Sequence, residues 1–487
     1  ALLLEHLKAV VGDVEAERAS PTPEEIARVA EFVAGIRAQD DWRWDIATPI
    51  TATSREGTVF ELLEDHSVLA TGSVPDFDEH VLTLSTDRTD LRAVLIEVLG
   101  HESLPGGRVG RAGNGNAVLA SITGEIISRT DPDRRRALEW SWAWADVEQD
   151  NDDFKVANAL RSDNDRVWAL DAHQQDGSRR AVFTTVEPFG FEGGSELVFR
   201  LEYRSPYPQH EFGRVRVQVA NAGEKALAAL PATTTNWYIT GPFSTSNGRT
   251  AYMTEFGPEE PGPLDFGRKF GTQEIHTWRY APLVLEAETV SLAQGIGAEY
   301  LGREIYVPTA RTLELNLGSD DGLQIYRNGT LVHQNIIDRG AAPDQDRVEV
   351  ELVPGRNTLV CKVVNTGAAG AFYHRALELD QVHPPEAVAL TLPDGALDDV
   401  TRVRADEALR RRFSPRYLEL SDRLVAAQDQ LAEARASVPK TMIMKERAMP
   451  RETYVMMRGQ YDQPDLDRPV SRGVPAVLGA VSGEERG

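Results

Sequence analysis

Residues 196–203 read Glu-Leu-Val-Phe-Arg-Leu-Glu-Tyr, and this alternation of polar and apolar side chains decides the fold class. A two-residue period is typical of a β-strand that buries one face. The same rhythm recurs at 80–84 (HVLTL), 93–98 (AVLIEV) and 214–219 (RVRVQV), with Gly, Pro and Asp turns between the runs. We therefore expect an antiparallel galactose-binding-like β-sandwich over residues 43–222.

A second β-rich stretch follows an apparent linker at residues 220–235. Its clearest strands are 312–317 (TLELNL), 323–326 (LQIY), 348–352 (VEVEL) and 358–364 (TLVCKVV). Asn328-Gly329 lies between alternating runs and is the strongest short-range signal for a two-residue hairpin. These features predict a second, lectin-like sandwich over residues 236–380.

Helical patterns flank the two sandwiches. Residues 1–42 are expected to be helical, and Thr22-Pro23-Glu24-Glu25 combines an N-cap, a proline at the first helical position and a capping box. A long amphipathic helix is expected over 396–440, and a proline-rich extended tail over 441–487 that leads to a missing domain. The predicted fold class is mainly β, with two antiparallel, jelly-roll-like β-sandwich domains flanked by α-helical segments.

Composition narrows the possible functions. The 487 residues suffice for roughly three domains, and the formal net charge of −24 disfavours nucleic acid as a partner. We expect no transmembrane span, because no apolar run approaches the roughly 20 residues that crossing a bilayer needs. Cys361 is the single cysteine, so no CxxCH motif binds haem in this segment. The ten histidines form no HxH or HExxH pattern, and we expect no catalytic activity.

The most informative local signal is Gly318-Ser319-Asp320-Asp321-Gly322, placed between two expected strands. Adjacent carboxylates repel each other unless a cation, backbone donors or solvent compensate them. One interpretation is that Asp320 and Asp321 are metal ligands for calcium, which could also bind sugar hydroxyls. The alternative is that both side chains cap a tight turn by accepting backbone N–H bonds.

Tryptophans supply the second kind of candidate site. Trp140, Trp142 and Trp144 alternate and are expected on one face of a strand, either as the core of the sandwich or as a platform for sugars. Trp168 follows an acidic loop that contains Asp163. We expect it to line a ligand pocket at the loop end of the sandwich.

Several motifs also resemble known families. Trp144-Ala145-Asp146 and the Leu104-Pro105-Gly106-Gly107 loop resemble the central region of large planctomycete-type cytochrome-c-associated multidomain proteins of unknown function. The tail motifs 441–446 (TMIMKE) and 458–464 (RGQYDQP) strengthen this resemblance. It implies an exported parent protein with a haem c domain and other domains as partners of this segment.

Each sandwich has its own resemblance. The first is similar to discoidin or galactose-binding-like modules, which implies a ligand role for Asn158, Asp163 and Trp168. The second is similar to the lectin-type module of anthrax protective antigen, which implies calcium at Asp320 and Asp321.

Three functions follow as hypotheses. The first is a non-catalytic segment of an exported protein, in the periplasm, at the cell surface or outside the cell, that binds a polysaccharide or other glycan. The second is a structural spacer or surface-assembly component. The third is an accessory part of a haem c-linked oxidoreductase that acts on polysaccharide, an idea that rests on the family resemblance alone.

Overall fold

A computed structural model describes residues 2–39, 42–163, 166–272, 274–367, 369–377, 382–438 and 452–470. The chain divides into two compact units, one formed by Ala1–Ser20 with Arg416–Gly487 and one by Pro21–Pro415. Strands hold 40% of the residues and helices 23%, and every pair of strands is antiparallel in the part described. The expectation of a mainly β, antiparallel fold is confirmed.

The described part of the chain contains six α-helices. They are α1 (Leu2–Ala19), α2 (Pro23–Gln39), α3 (Glu224–Ala228), α4 (Gly248–Met253), α5 (Asp399–Phe413) and α6 (Pro415–Ser437). The capping box that opens α2 is confirmed, because Glu25 N donates to Thr22 Oγ1 at 3.2 Å while Thr22 N donates to Glu25 Oε2 at 2.8 Å. Where the sequence suggested one helix over 396–440 there are two, because Pro415 has no N–H with which to continue α5.

Fourteen strands build the first sandwich within the described residues. They are β1 (Arg43–Ile46), β2 (Thr48–Ser54), β3 (Val59–Leu62), β4 (Val68–Thr71), β5 (Glu79–Thr86), β6 (Leu91–Val98), β7 (Val118–Leu119), β8 (Ser121–Ser128), β9 (Arg135–Ala137), β10 (Trp140–Ala145), β11 (Trp168–Ala169), β12 (Arg179–Phe189), β13 (Ser195–Glu202) and β14 (Arg214–Asn221). One sheet has the order β10-β12-β6-β14-β4-β3, with β1 also on β14, and the facing sheet has the order β2-β5-β13-β8-β9. Strands β7 and β11 form a separate two-stranded sheet. Apolar residues of both sheets share one core, including Leu84, Ile96, Phe183 and Phe199.

A bulge in β10 separates the three tryptophans that the sequence placed on one face. The register of β10 against β12 shifts between Trp140 and Trp142. Trp140 therefore packs on the sandwich core near Phe183, whereas Trp142 and Trp144 join an apolar cluster outside it. The prediction of a single tryptophan face is wrong, because one extra residue in a strand inverts every side chain on one side of it.

Eleven strands build the second sandwich within the described residues. They are β15 (Thr233–Thr234), β16 (Tyr238–Ser244), β17 (Arg279–Tyr280), β18 (Thr289–Gln294), β19 (Gly297–Val307), β20 (Arg311–Asp320), β21 (Gly322–Arg327), β22 (Thr330–Asn335), β23 (Asp346–Leu352), β24 (Gly355–Asn365) and β25 (Ala369–Leu377). One sheet has the order β17-β16-β19-β24-β21-β22, with β15 on β19, and the other has the order β18-β25-β20-β23. The Asn328-Gly329 hairpin is confirmed, because Arg327 pairs with Thr330 and both turn residues have positive φ angles.

Helices α2 and α5 pack together with the 3-10 segment Pro385–Thr391. Their shared apolar cluster includes Val29, Ile36, Leu390 and Leu409. This cluster belongs to the unit that contains both sandwiches.

The other unit contains α1 and α6. Arg416 of α6 donates a hydrogen bond of 3.1 Å to the carbonyl of Glu17 in α1. Strands β26 (Thr453–Met456) and β27 (Pro464–Val470) form an antiparallel pair in the same unit. The other residues of the expected 441–487 tail, apart from 452–470, lie outside the described residues. No described helix is long and apolar enough to cross a membrane.

Candidate functional site

Trp168 lies inside the first sandwich. Its side chain is fully buried, its Nε1 donates to the Val147 carbonyl at 2.9 Å, and its ring meets the Phe212 ring edge-on at 6.0 Å. The indole faces are therefore covered by the chain's own core residues.

Asn158 and Asp163 lie in the segment that precedes Trp168. Asn158 is buried in the 3-10 turn Val156–Leu160, and its Nδ2 donates to the Asp153 carbonyl at 3.1 Å. Asp163 accepts two hydrogen bonds, of 2.7 and 2.9 Å, from the guanidinium of Arg161. Those hydrogen bonds hold the pKa of the Asp163 carboxyl below its ordinary value, against an opposing effect of burial. Both polar side chains are thus engaged by neighbouring residues.

The same loop end carries the contact with the second sandwich. Arg161 Nη1 donates to the Leu264 carbonyl at 2.9 Å and to Glu304 Oε1 at 2.8 Å. Asp153 accepts hydrogen bonds from the Tyr238 hydroxyl and, at 2.9 Å, from Asn236 Nδ2. The loop end that was predicted to hold a sugar pocket therefore meets the neighbouring sandwich.

Asp321 lies between β20 and β21, and its carboxylate is almost fully buried. One oxygen accepts the Arg339 N–H at 2.9 Å, and the other accepts the Thr366 N–H and hydroxyl at 2.7 Å each. Burial alone would raise the pKa of Asp321, but the hydrogen bonds from Thr366 and Arg339 outweigh it and lower the pKa. Asp321 thus caps the loops around it.

The charge of Asp321 also acts on two neighbouring carboxyls, those of Asp320 and Asp338. Burial and the charges of Asp321 and Asp338 raise the pKa of Asp320. Hydrogen bonding and charge repulsion from Asp321 raise the pKa of Asp338. The nearby guanidinium of Arg339 is bound instead to Ser319 and Asp346. The negative charge of Asp321 therefore acts on two further carboxyls, although the oxygens of the three side chains do not all lie within 4.8 Å of one another among the described residues. Oxygen-rich anionic surroundings of this kind suit a hard cation.

A second cluster, which was not predicted from the sequence, lies in the first sandwich. Asp78, His80 and Glu211 are each at most 2% exposed, and one ligand atom from each lies within 4.8 Å of the others. His80 Nε2 is 3.5 Å from Asp78 Oδ2 and 3.5 Å from Glu211 Oε2, too far for a good hydrogen bond. Among described residues, Glu211 Oε1 also has no partner. A buried polar atom left unpaired costs about 1–3 kcal/mol.

The spacing of residues in the sequence could indicate two members of this cluster, but not the third. Asp78 directly precedes β5 and His80 is the second residue of that strand, so an extended chain places both side chains on one face. Glu211 is 131 positions further along the chain than His80, and only the packing of the segment before β14 against β5 brings it close.

No protein-family model matches the chain, and neither does any curated protein sequence. Among solved structures, an anti-sigma factor domain-containing protein aligns with 64% of this chain and 89% of its own, at 10% identity and a TM-score of 0.22. The CBM32-1, CBM32-2 and M60 catalytic domains of Clostridium perfringens ZmpB align with 80% of this chain and 44% of theirs, at 9% identity and a TM-score of 0.17. The ANXUR2 extracellular domain of Arabidopsis thaliana aligns with 69% of this chain and 91% of its own, at 7% identity and a TM-score of 0.16. Likenesses this weak carry no argument about function, and none of them matches the cytochrome-c-associated family.

Proposed function

We propose that the chain is a non-catalytic, glycan-binding segment of an exported protein, and that it binds its ligand through calcium at the acidic loop end of the second sandwich. Asp320, Asp321 and Asp338 are the protein ligands in this proposal. The observation that carries it is the electrostatic effect of Asp321 on its neighbours, because its charge raises the pKa values of both Asp320 and Asp338. A divalent cation relieves this repulsion directly.

Calcium suits the site better than other common ions. All the side-chain ligands are oxygens, and Ca²⁺ takes six to eight oxygen ligands in flexible geometry. Sugar hydroxyls can supply ligands that the protein leaves open. Because Asp338 is exposed and Asp320 is half-buried, a ligand can reach the ion from solvent.

Apolar side chains beside the carboxylates provide a second contact for a sugar ring. Ile336 is 56% exposed and Ile337 is 41% exposed, immediately before Asp338. The Tyr252 hydroxyl donates to the Ile337 carbonyl at 3.2 Å and ties this segment to α4. The site thus combines anionic ligands with a fixed apolar rim.

The test is retention of the full chain on immobilised polysaccharides, together with calorimetric titration of Ca²⁺. Asp320→Asn and Asp338→Asn are expected to weaken Ca²⁺ binding by at least tenfold and to abolish chelator-sensitive retention. Asp344→Asn is the matched control, because Asp344 belongs to the same loop but pairs with Arg375 at 2.8 Å. Unchanged retention with a chelator, or no measurable Ca²⁺ binding, contradicts the proposal.

A structural role as a spacer is the second candidate, and the hydrogen bonds between the sandwiches favour it. Arg161 and Asp153 each join the first sandwich to residues of the second. In this proposal the pair of sandwiches holds a haem c domain and other domains of the same parent protein at a set separation. The coding sequence around this segment tests the link, since a parent protein without CxxCH excludes both a haem c partner and the oxidoreductase alternative.

A further inference from the structure

We propose that Asp78, His80 and Glu211 bind a zinc-like divalent metal ion inside the first sandwich. This site is separate from the acidic loop end of the second sandwich and shares no residue with it. It does not depend on the glycan-binding proposal.

The ligand set favours a transition metal. One imidazole nitrogen with two carboxylates is a donor set that zinc accepts, and zinc usually takes four ligands at tetrahedral corners. With ligands at about 2.1 Å, such an ion separates its ligand atoms by about 3.4 Å. His80 Nε2 lies 3.5 Å from Asp78 Oδ2 and 3.5 Å from Glu211 Oε2. These two distances are long for hydrogen bonds and fit two atoms that share an ion.

The unpartnered atoms point to a missing occupant. His80 Nε2 and Glu211 Oε1 make no hydrogen bond within the part of the chain that the structure describes, although both residues are almost completely buried. Buried polar atoms in proteins are nearly always paired with protein, water or an ion. An ion between Asp78, His80 and Glu211 gives a ligand role to His80 Nε2, and a carboxylate that binds the ion through both oxygens gives one to Glu211 Oε1.

Neighbouring side chains hold the ligands in place. Thr58 Oγ1 donates to Asp78 Oδ2 at 2.7 Å, and Ser54 donates to the same oxygen. Arg111 Nη1 donates to Glu211 Oε2 at 2.7 Å, while its Nη2 donates to the carbonyls of residues 71–73. Such outer contacts orient the ligands of a protein metal site and tune its affinity.

Charge balance agrees with a cation at this place. Asp78 and Glu211 bring two negative charges, and Arg111 is the cation that hydrogen-bonds to Glu211. The Phe60 and Tyr203 rings pack edge-on against His80, at 4.9 and 4.6 Å, and shield the cluster from solvent. Because the ligands are buried, the ion is expected to enter as the chain folds.

The experiment measures metal in the full chain after refolding with Zn²⁺ or Co²⁺ and removal of free ion. We expect one ion per chain, a visible ligand-field absorption for Co²⁺, and a higher thermal midpoint with zinc than without it. His80→Gln is expected to lower zinc affinity by at least 100-fold. Thr58→Val removes only the hydroxyl beside Asp78 and is expected to lower affinity by about 10- to 100-fold.

Asp320→Asn is the control, and it must retain the zinc-like ion. A wild-type chain that holds no stoichiometric metal and gives no Co²⁺ absorption overturns the proposal, whether or not His80→Gln folds. A folded His80→Gln variant with wild-type metal content overturns it too.

Discussion

Arg161 of the first sandwich donates a 2.8 Å hydrogen bond to Glu304 of the second, and both side chains are at least 97% buried. Charges removed from water in this way are stable only while they stay paired. The two sandwiches therefore depend on each other at this contact.

Replacing Arg161 with Met is expected to lower the free energy of unfolding by about 3–5 kcal/mol, because Glu304 is left as a buried, poorly compensated charge. Urea denaturation measures the change. Arg200→Met is the control, since Arg200 is half exposed and 3.4 Å from Glu79, and its loss should cost less than about 1 kcal/mol. Equal losses of unfolding free energy in the two variants would show that the buried Arg161–Glu304 pair stabilises the fold no more than an exposed pair does.

Lys362 is 1% exposed, with its Nζ donating 2.7 Å to the Thr254 carbonyl. Burial lowers the pKa of Lys362 from 10.5 to about 8, although nearby Glu259 and Glu255 oppose this. Between pH 8 and 10.5 the unfolded chain binds a proton that the folded chain has released, so stability rises with pH in that range. Over that range the free energy of unfolding of the wild type should rise by about 3 kcal/mol relative to that of Lys362→Met.

Urea denaturation at several pH values measures this gain. Lys225→Met, at an exposed lysine, controls for the loss of one positive charge. Parallel pH profiles for wild type and Lys362→Met would contradict the expected titration.

Asp320→Asn is expected to raise stability at neutral pH when calcium is absent. The folded-state pKa of Asp320 is raised by burial and by Asp321 and Asp338. The free-energy cost of ionising Asp320 in the folded chain is therefore absent at low pH. It appears as pH rises from the ordinary pKa of Asp to the folded-state value. Denaturation with a chelator, at pH 3 and pH 7, measures the difference. With calcium present the order of stability should reverse, and a variant less stable under both conditions would argue against repulsion at this site.

Gly322→Ala is expected to destabilise the second sandwich by about 1–3 kcal/mol. A Cβ at residue 322 would lie 1.8 Å from the Tyr252 hydroxyl oxygen, and that ring is packed in an aromatic cluster. Gly35→Ala is the matched control, because a Cβ there meets nothing within 4 Å and alanine favours helix α2 by about 0.5–1 kcal/mol. Thermal unfolding compares the two. Tyr252→Ala should remove most of the difference between Gly and Ala at residue 322.

Local structural features could be predicted from the sequence because they depend on residues that are neighbours along the chain. The two-residue rhythm of 196–203 and 214–219 predicted β13 and β14, and Thr22 with Glu25 predicted the start of α2. Asn328-Gly329 predicted a hairpin because few residue pairs accept positive φ angles. Each of these signals acts over a few residues and needs no information about the rest of the molecule.

Long-range placement was decided only by the tertiary structure. The bulge after Trp140 moves the side chains of Trp142 and Trp144 to the other face of the sheet, and the periodicity of the sequence does not predict a bulge. The loop end with Arg161 is covered by the second sandwich, which no pattern inside the first sandwich indicates. His80 and Glu211 meet because the segment before β14 packs against β5, and the separation of the two residues along the chain carries no information about that contact.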